Sequence, residues 1–482
     1  MRICTGNDYL NRLRDGREVW LEGSRVADVT AHPKLKRGAT SMASLLDRQH
    51  DKTLSVQLSY SEANSEERYA MSFLQPKSMA DVVQRGAAFY DWAKWSNGMM
   101  GRTPDYLNCS FMAFDGAAEY FAECRSQFAD NVRDYYSLIR KHDLVLTHTL
   151  INPQVNRHLT AQGLASPEVA LRVVKERDDG LIVSGARLLA TLGPLSDEIA
   201  VFPSTVLRAA PDMKPYALAF ALPNDTKGMK YICRDSYDRG KSLFDAPLSG
   251  RFEEMDCIVI FDEVLVPWER VFLYDSPHLC NRAYAETNAV VHMMHQVVCK
   301  NLAKAEFIVG LLCAMTRVSE RDKDMIVQGQ IAEAMWIAET MRAFVYSAEN
   351  QAEEDQWGIH VPLRRPLDTA RNLFPKLYPR LIELVQLLGS SSLMATPCEA
   401  DLENELKLDI EQYLQLAHLD SRGRIALFRL AHDVAVSGFG GRQALYERFF
   451  FGPPSTMASS YFGLYNKDEY VDRVQELLDR TE

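Results

Sequence analysis

Two short stretches concentrate the residues able to do chemistry. In Gly101-Arg-Thr-Pro-Asp-Tyr106 an arginine and a phenolic side chain stand four residues apart in a turn that follows a helix. The pattern fits a surface turn with a solvated arginine. It fits equally a pair of side chains that hydrogen-bond one polar atom in a pocket. The second stretch is Leu146-Thr-His-Thr-Leu-Ile-Asn-Pro-Gln-Val-Asn-Arg157, where Pro153 bars a helix. It carries Thr147, His148, Thr149, Asn152, Gln154 and Asn156, a density of neutral hydrogen-bonding groups unusual for a plain loop. His148 is either a satisfied core histidine or a group that handles protons near neutrality. His142, in Arg140-Lys-His-Asp143, reads as solvated.

Two further patterns have a chemical reading beside a structural one. His292-x-x-His295-x-x-x-Cys299 places metal-ligand types at i, i+3 and i+7 of one helical face. Val291, Met294 and Val298 make that face apolar and no fourth ligand stands nearby, so a buried structural set is expected and no metal. Ser437-Gly-Phe-Gly-Gly-Arg442 approaches a nucleotide fingerprint but lacks the third glycine of G-x-G-x-x-G and opens no βαβ unit. Its glycines suit a helix end or tight turn, or a backbone surface that a phosphate or adenosine approaches closely. No phosphate-binding G-x-x-x-x-G-K-[ST] occurs.

The elements that must position these residues change character twice. Residues 1–144 carry helical periodicity in Ser78–Asn97 and Ala117–His142. Residues 145–273 hold short β-rich runs bounded by turn residues, such as Gly180-Leu-Ile-Val-Ser-Gly-Ala-Arg187 and Cys257-Ile-Val-Ile-Phe261. Residues 274–482 return to long amphipathic helices at 301–318, 324–349, 370–388 and 403–418, the pattern of a four-helix bundle. The fold expected is mainly α, with an N-terminal helical domain, a middle antiparallel β sheet or barrel, and a C-terminal bundle. The 482 residues carry a net charge of −11, which excludes a nucleic-acid surface needing a basic stripe. Nine scattered cysteines without a C-x-x-C spacing predict reduced thiols. Neither a signal peptide nor an apolar run of ~18 residues is present, so a cytoplasmic protein without a membrane span is expected.

At these segments, and in the same order along nearly the whole chain, the sequence resembles the 4-hydroxyphenylacetate 3-monooxygenase oxygenase family, which has an acyl-CoA dehydrogenase-like fold. Thr5–Leu10, Val29–Pro33, Leu189–Leu192, Arg251–Asp256, Val264–Arg270 and Ser437–Tyr446 join the two opening stretches in carrying the likeness. The resemblance implies a two-component monooxygenase. A separate NAD(P)H:flavin reductase supplies reduced FAD. Reaction with O2 then gives a flavin hydroperoxide that hydroxylates a para-substituted phenol ortho to its hydroxyl, yielding a catechol. It implies that Arg102, Tyr106 and His148 line the phenol pocket, with Ser204 and Thr205 on a loop covering the substrate. It also implies flavin contacts from His148, Thr149, Leu150, Gln154, Val155, Asn156, Arg157 and Thr191. It further implies that Ser437, Gly438, Phe439, Gly440 and Gly441 meet the adenosine portion across a subunit boundary, and that the assembly is a homotetramer, a dimer of dimers. The residue types agree with that chemistry. Electrophilic attack needs an electron-rich ring, and Arg102, charged at any relevant pH, stabilises a phenolate. A rival in the same superfamily, a 4-hydroxybutyryl-CoA dehydratase-like protein, needs an iron–sulfur cluster on paired cysteines plus a His-x6-Cys. His292 and Cys299 have that last spacing, but Met99–Tyr106 contains no cysteine.

Overall fold

The computed structural model describes residues 3–62, 67–153, 168–203 and 207–480. Ser78 caps helix Met79–Trp95 by accepting the Asp81 amide hydrogen. Pro104 opens helix Pro104–Gly116, at a position where its missing N–H has no intrahelical partner to lose. Helix Ser126–His142 ends where Asp143 turns left-handed, with φ 48°. Phe111 of the second helix packs against Phe114, Tyr135 and Phe272 at centroid distances of 5.5, 4.8 and 5.8 Å. Because Phe272 lies on a strand, this cluster locks the helical layer onto the β layer.

That layer consists of two open sheets. One runs Ser24–Val26, Val19–Leu21, Met229–Cys233, Asp256–Pro267, Gly180–Thr191, Arg172–Arg177. The other runs Val271–Tyr274, Leu218–Pro223, Glu198–Val201, Leu146–Thr149. Both are mixed, since Val19–Leu21 lies parallel to Met229–Cys233 and Leu146–Thr149 lies parallel to Glu198–Val201. The expected antiparallel sheet or barrel is therefore corrected to two mixed sheets, with no closed barrel among the described residues. Two of the strands also come from the N-terminal segment read as helical. Three-residue strands carry too little alternation to be seen. Leu146–Thr149 enters its sheet from the helical layer, so its neighbour is reached by a long crossover and not by a hairpin.

Helices Ala289–Arg317, Met325–Glu349, Arg364–Gly389 and Ser421–Ala435 form the C-terminal helical layer. The helix expected at 403–418 is replaced by the short Lys407–Tyr413, which buries only Ile410 and so lacks a face to dock. The fourth long helix starts instead at Ser421, where Asp420 accepts the Gly423 amide hydrogen. Ala289–Arg317 packs against Met79–Trp95, Pro104–Gly116, Met325–Glu349 and Arg364–Gly389. Its first half buries His292, His295, Gln296 and Lys300, so an apolar count from Asn301 onward misses where it begins. Helices Gly438–Phe449, Pro454–Leu464 and Asp468–Asp479 follow, and the last two bury none of their residues. All nine thiols are free. Among the described residues, no helix is long and apolar enough to cross a membrane.

Candidate active site

The turn before helix Pro104–Gly116 is fixed through its backbone. Glu254, fully buried, accepts the amide hydrogens of Gly101 at 3.0 Å and of Arg102 at 2.6 Å. A Cβ on Gly101 would lie 2.1 Å from the Tyr446 hydroxyl, so only glycine fits there. The Arg102 guanidinium is buried in the corner formed by two edge-to-face rings, its carbon 4.3 Å from the centroids of both Tyr106 and Phe450, which are 5.3 Å apart. Those faces attract the cation and exclude water, but they do not take up its hydrogens. Nη1 of Arg102 has no hydrogen-bond partner. Arginine does not give up its proton in such a site. A buried charge of this kind favours an anionic or strongly accepting oxygen beside it.

His148 completes the group. Its imidazole centroid is 5.6 Å from that of Tyr106, and its Nδ1 likewise has no partner. Burial, reinforced by the Arg102 charge, pushes the His148 pKa well below the usual imidazole value. Burial pushes the Tyr106 hydroxyl up to about 12. At neutral pH the site thus presents one cation, one phenolic O–H donor and one neutral imidazole. A proton-accepting nitrogen on His148 is compatible with this, whereas an imidazolium acid is not. A prediction follows for isotope-labelled protein. The ring resonances of His148 should show the neutral form throughout pH 6–8, and a His148 titration centred near the ordinary imidazole value of about 6.5 would contradict it.

A flat, mostly apolar group can lie along the strand that carries His148. Thr149 is buried, and its hydroxyl donates to the Leu188 carbonyl at 3.1 Å. Beyond it Ile151 bridges to Leu188, and the side chains of Ile151 and Leu189 are 42% and 51% exposed. Leu189 holds φ 60°, rare for a bulky residue and a form of strain that clusters at ligand sites. The Leu150 carbonyl accepts from Arg187 at 3.0 Å. Ile151 and Leu189 thus form an exposed apolar shelf near the unpartnered Nε and Nη2 of Arg187. Gln154, Val155, Asn156, Arg157, Ser204 and Thr205 lie outside the described residues.

Thr191 sits at the end of strand Gly180–Thr191, which also carries Leu188 and Leu189, and is committed to a partner, donating to Asp256 Oδ1 at 2.6 Å. Its carbonyl accepts the Thr147 hydroxyl at 2.6 Å. Asp256 is gripped by Arg442 (2.8 and 3.0 Å) and by Arg234 (2.9 Å). Burial works to raise the Asp256 pKa, but Arg442, Arg234 and the Thr191 hydroxyl together hold it well below the carboxylate range. Ser437 caps helix Gly438–Phe449 by accepting the Gly440 amide hydrogen at 3.1 Å. Gly438 and Gly441 are exposed at this helix start, where free amides favour an anion. Phe439 is buried in the core, and a Cβ on Gly440 would meet the Val434 carbonyl at 2.3 Å. These two offer at most backbone.

Five residues around the turn escaped the sequence reading of the site: Glu254, Asp256, Arg442, Tyr446 and Phe450. Four of them stand inside the quoted motifs Arg251–Asp256 and Ser437–Tyr446, but only the fold brings those motifs to Gly101. The histidine set divides in the structure. His292 Nδ1 lies 3.2 Å from Arg85 Nη1, whereas His295 pairs with Glu349 at 2.8 Å. His295, Cys299 and Glu349 bring their ligand-type atoms within 4.8 Å of one another, a juxtaposition across two helices that the sequence does not reveal.

Comparison with known proteins adds a family. The model described as "4-hydroxyphenylacetate 3-hydroxylase N terminal" matches residues 5–273, and "4-hydroxyphenylacetate 3-hydroxylase C terminal" matches residues 280–479. A 4-hydroxyphenylacetate 3-monooxygenase oxygenase component from Geobacillus sp. (strain PA-9) is 46% identical over 99% of this chain and 97% of its own length. One from Thermus thermophilus is also 46% identical, over 98% of this chain and 97% of its own. A crystal structure of such an oxygenase component complexed with FAD and 4-hydroxyphenylacetate superposes with a TM-score of 0.95 at 46% identity, covering 99% of both chains. An archaeal 4-hydroxybutyryl-CoA dehydratase from N. maritimus shares the fold, with a TM-score of 0.89 at 18% identity, covering 100% of this chain and 96% of its own.

Proposed function

Because the chain belongs to the 4-hydroxyphenylacetate 3-hydroxylase family, we propose that Arg102, Tyr106 and His148 clamp the hydroxyl of a small, free para-substituted phenol such as 4-hydroxyphenylacetate. The protein is an FAD-dependent aromatic monooxygenase that uses O2. The dehydratase reading is not favoured: that likeness is one of fold alone, and no cysteine stands in Met99–Tyr106.

One observation carries the clamp: the unpartnered Arg102 Nη1 and His148 Nδ1 belong to side chains that both pack against the ring of Tyr106, at 4.3 and 5.6 Å. Reduced FAD, when bound, activates O2 and supplies the oxygen atom. The chain's own residues prepare the ring to receive it. Arg102 stabilises negative charge on the phenol oxygen, and Tyr106, protonated, donates to the same oxygen. His148 Nδ1, unprotonated, accepts a hydrogen bond from the phenol hydroxyl. Together they raise electron density at the ortho carbon. Phe450 and the ring of Tyr106 keep water from the site, and excluding water protects reactive oxygen from loss as peroxide.

In this reading Thr149, Leu150 and Thr191 flank the flavin ring. Gln154, Val155, Asn156 and Arg157 lie on the segment leading to the pyrophosphate, where Arg157 has the charge to meet it. The amides at Ser437–Gly441 meet the adenosine end. Ser204 and Thr205 belong to the loop that covers the para substituent. The domains in this reading are residues 1–144, mainly helical but lending Val19–Leu21 and Ser24–Val26 to the β layer, 145–273, the β domain, and 274–482, the bundle.

A separate NAD(P)H:flavin reductase is the proposed partner, in keeping with the "oxygenase component" in the names of its relatives. The proposed location is the cytoplasm, and the proposed assembly is a homotetramer. Val471, Val474 and Leu477 recur on one face of Asp468–Asp479 and are each more than half exposed, as are Phe462 and Leu464 before them. A second copy of the chain is the cover we assign to that stripe. Removing residues 454–482 should then lower the mass measured by light scattering. An unchanged tetramer would remove the tail from the interface.

The substrate reading is tested by supplying FADH2 and O2 with a panel of para-substituted phenols, free and carrier-bound. Ortho-hydroxylation is expected with kcat/KM highest for small free phenols. Turnover confined to carrier-bound phenols would overturn the substrate assignment.

A further inference from the structure

Helix Gly438–Phe449 presents two faces to the site. Gln443 and Glu447 face the lysines of Ala289–Arg317: Lys304 donates to Gln443 at 2.8 Å and to Glu447 at 2.6 Å, and Lys300 donates to Glu447 at 2.5 Å. Arg442 and Tyr446, four residues apart, face the turn at Gly101, and Phe450 continues that line. Arg442 is buried, and its guanidinium is shared between two carboxylates. Nε and Nη2 hold Asp256 at 3.0 and 2.8 Å, while Nη1 lies 3.4 Å from Glu254 Oε2. Glu254 in turn holds the Gly101 and Arg102 amides. On the other side Asp256 accepts the Thr191 hydroxyl, and the Thr191 carbonyl accepts the Thr147 hydroxyl, one residue before His148.

A continuous set of hydrogen bonds therefore runs from the backbone of Arg102, through one guanidinium, to the strand of His148. The two halves of the clamp are 46 residues apart in number (148 minus 102) and sit on different layers. A planar fork with donors on two edges holds both carboxylates in fixed directions, which the freely rotating point charge of a lysine ammonium does not.

We propose that Arg442 is a positioning residue for the hydroxylation, holding the Arg102 turn and the His148 strand in register so that the phenol lies correctly against the oxygen donor. The inference rests on the reading that Arg102 and His148 hold the phenol. Arg442 touches neither substrate nor flavin in it. A misplacement of about 1 Å at a reacting centre costs about 10²-fold in rate, whereas oxidation of FADH2 by O2 does not need the phenol in place.

The test is Arg442→Lys, with Glu254→Gln as a second variant that removes the same link from the turn side. Catechol formed per FADH2 oxidised, the KM for phenol, and the unfolding temperature are read together. The expected result is a fall of about 10- to 100-fold in kcat for catechol, with peroxide released instead, while the KM for phenol and the rate of FADH2 oxidation change less than about twofold. Parent-like coupling in Arg442→Lys would overturn the proposal. So would parallel loss of catechol formation, FADH2 oxidation and thermal stability in both variants, since that is what a merely structural role produces. Arg102→Ala in the same assay separates the two readings. If it stays coupled, the clamp itself is wrong; if it uncouples and Arg442→Lys does not, only this inference fails.

Discussion

Arg102→Ala is expected to keep oxidising FADH2 at the parent rate while catechol formation falls by about 10²–10³-fold, the usual effect of removing one preorganised donor from developing negative charge. The missing turnover should appear as hydrogen peroxide. The separation follows from where Arg102 sits. Its backbone is held by Glu254 and survives truncation, so the turn stays in place. Its guanidinium lies against both Tyr106 and Phe450 with Nη1 unsatisfied, so what disappears is charge at the phenol oxygen. Arg102→Lys should recover little, because an ammonium cannot pack flat against the rings and still reach the oxygen as a planar group does. Parent-like catechol yield in Arg102→Ala would remove this residue from the site.

Glu447→Ala should produce the largest loss of stability, on the order of 3–5 kcal/mol, as is typical when one partner of a buried ionic set is removed. Glu447, Lys300 and Lys304 are all buried, and one carboxylate serves both ammonium groups. Burial already pushes the Lys300 pKa down to about 7 despite the opposing pull of Glu447, and burial lowers Lys304 as well. A lysine whose folded value lies below its unfolded value costs stability increasingly as pH falls between the two, and the cost levels off below the folded value. Without Glu447 the folded value of Lys300 falls further. The deficit of Glu447→Ala relative to the parent should therefore keep widening as pH drops below 7. Replacing all three groups with apolar residues of similar volume should recover much of the loss. Equal thermal unfolding temperatures for Glu447→Ala and the parent across this range would contradict the account.

The residues best legible in the sequence were those whose chemistry is local. Arg102 and Tyr106 share a six-residue stretch where a turn enters a helix, and His148 stands in a strand dense with hydrogen-bonding groups. The structure brings these three together. The groups that hold them were not legible, because their meaning lies in pairings across the chain. Glu254 and Gly101 are separated by 153 residues, and Arg442 and Asp256 by 186. A glutamate in Arg251–Asp256 reads as an ordinary surface charge until the fold supplies the two amides it accepts. The error at 403–418 has a similar origin. Leu406, Leu408 and Tyr413 look like an apolar face, yet they are 45%, 74% and 70% exposed, and the chain docks Ser421–Ala435 instead. The parallel pairing of Leu146–Thr149 was hidden for a different reason. Strand direction depends on the route of the connection, which local alternation does not encode.

The central claim is that Arg102, with Tyr106 and His148, binds the phenol oxygen and favours its anionic form. A chromophoric phenol such as 4-nitrophenol, titrated anaerobically into the protein loaded with reduced FAD, reports this directly through its absorption. The account predicts that binding to the parent shifts the spectrum toward the phenolate at a pH where free ligand is largely protonated, and that Arg102→Ala abolishes the shift. An identical phenolate shift in Arg102→Ala, or binding to the parent as the neutral phenol, would contradict it.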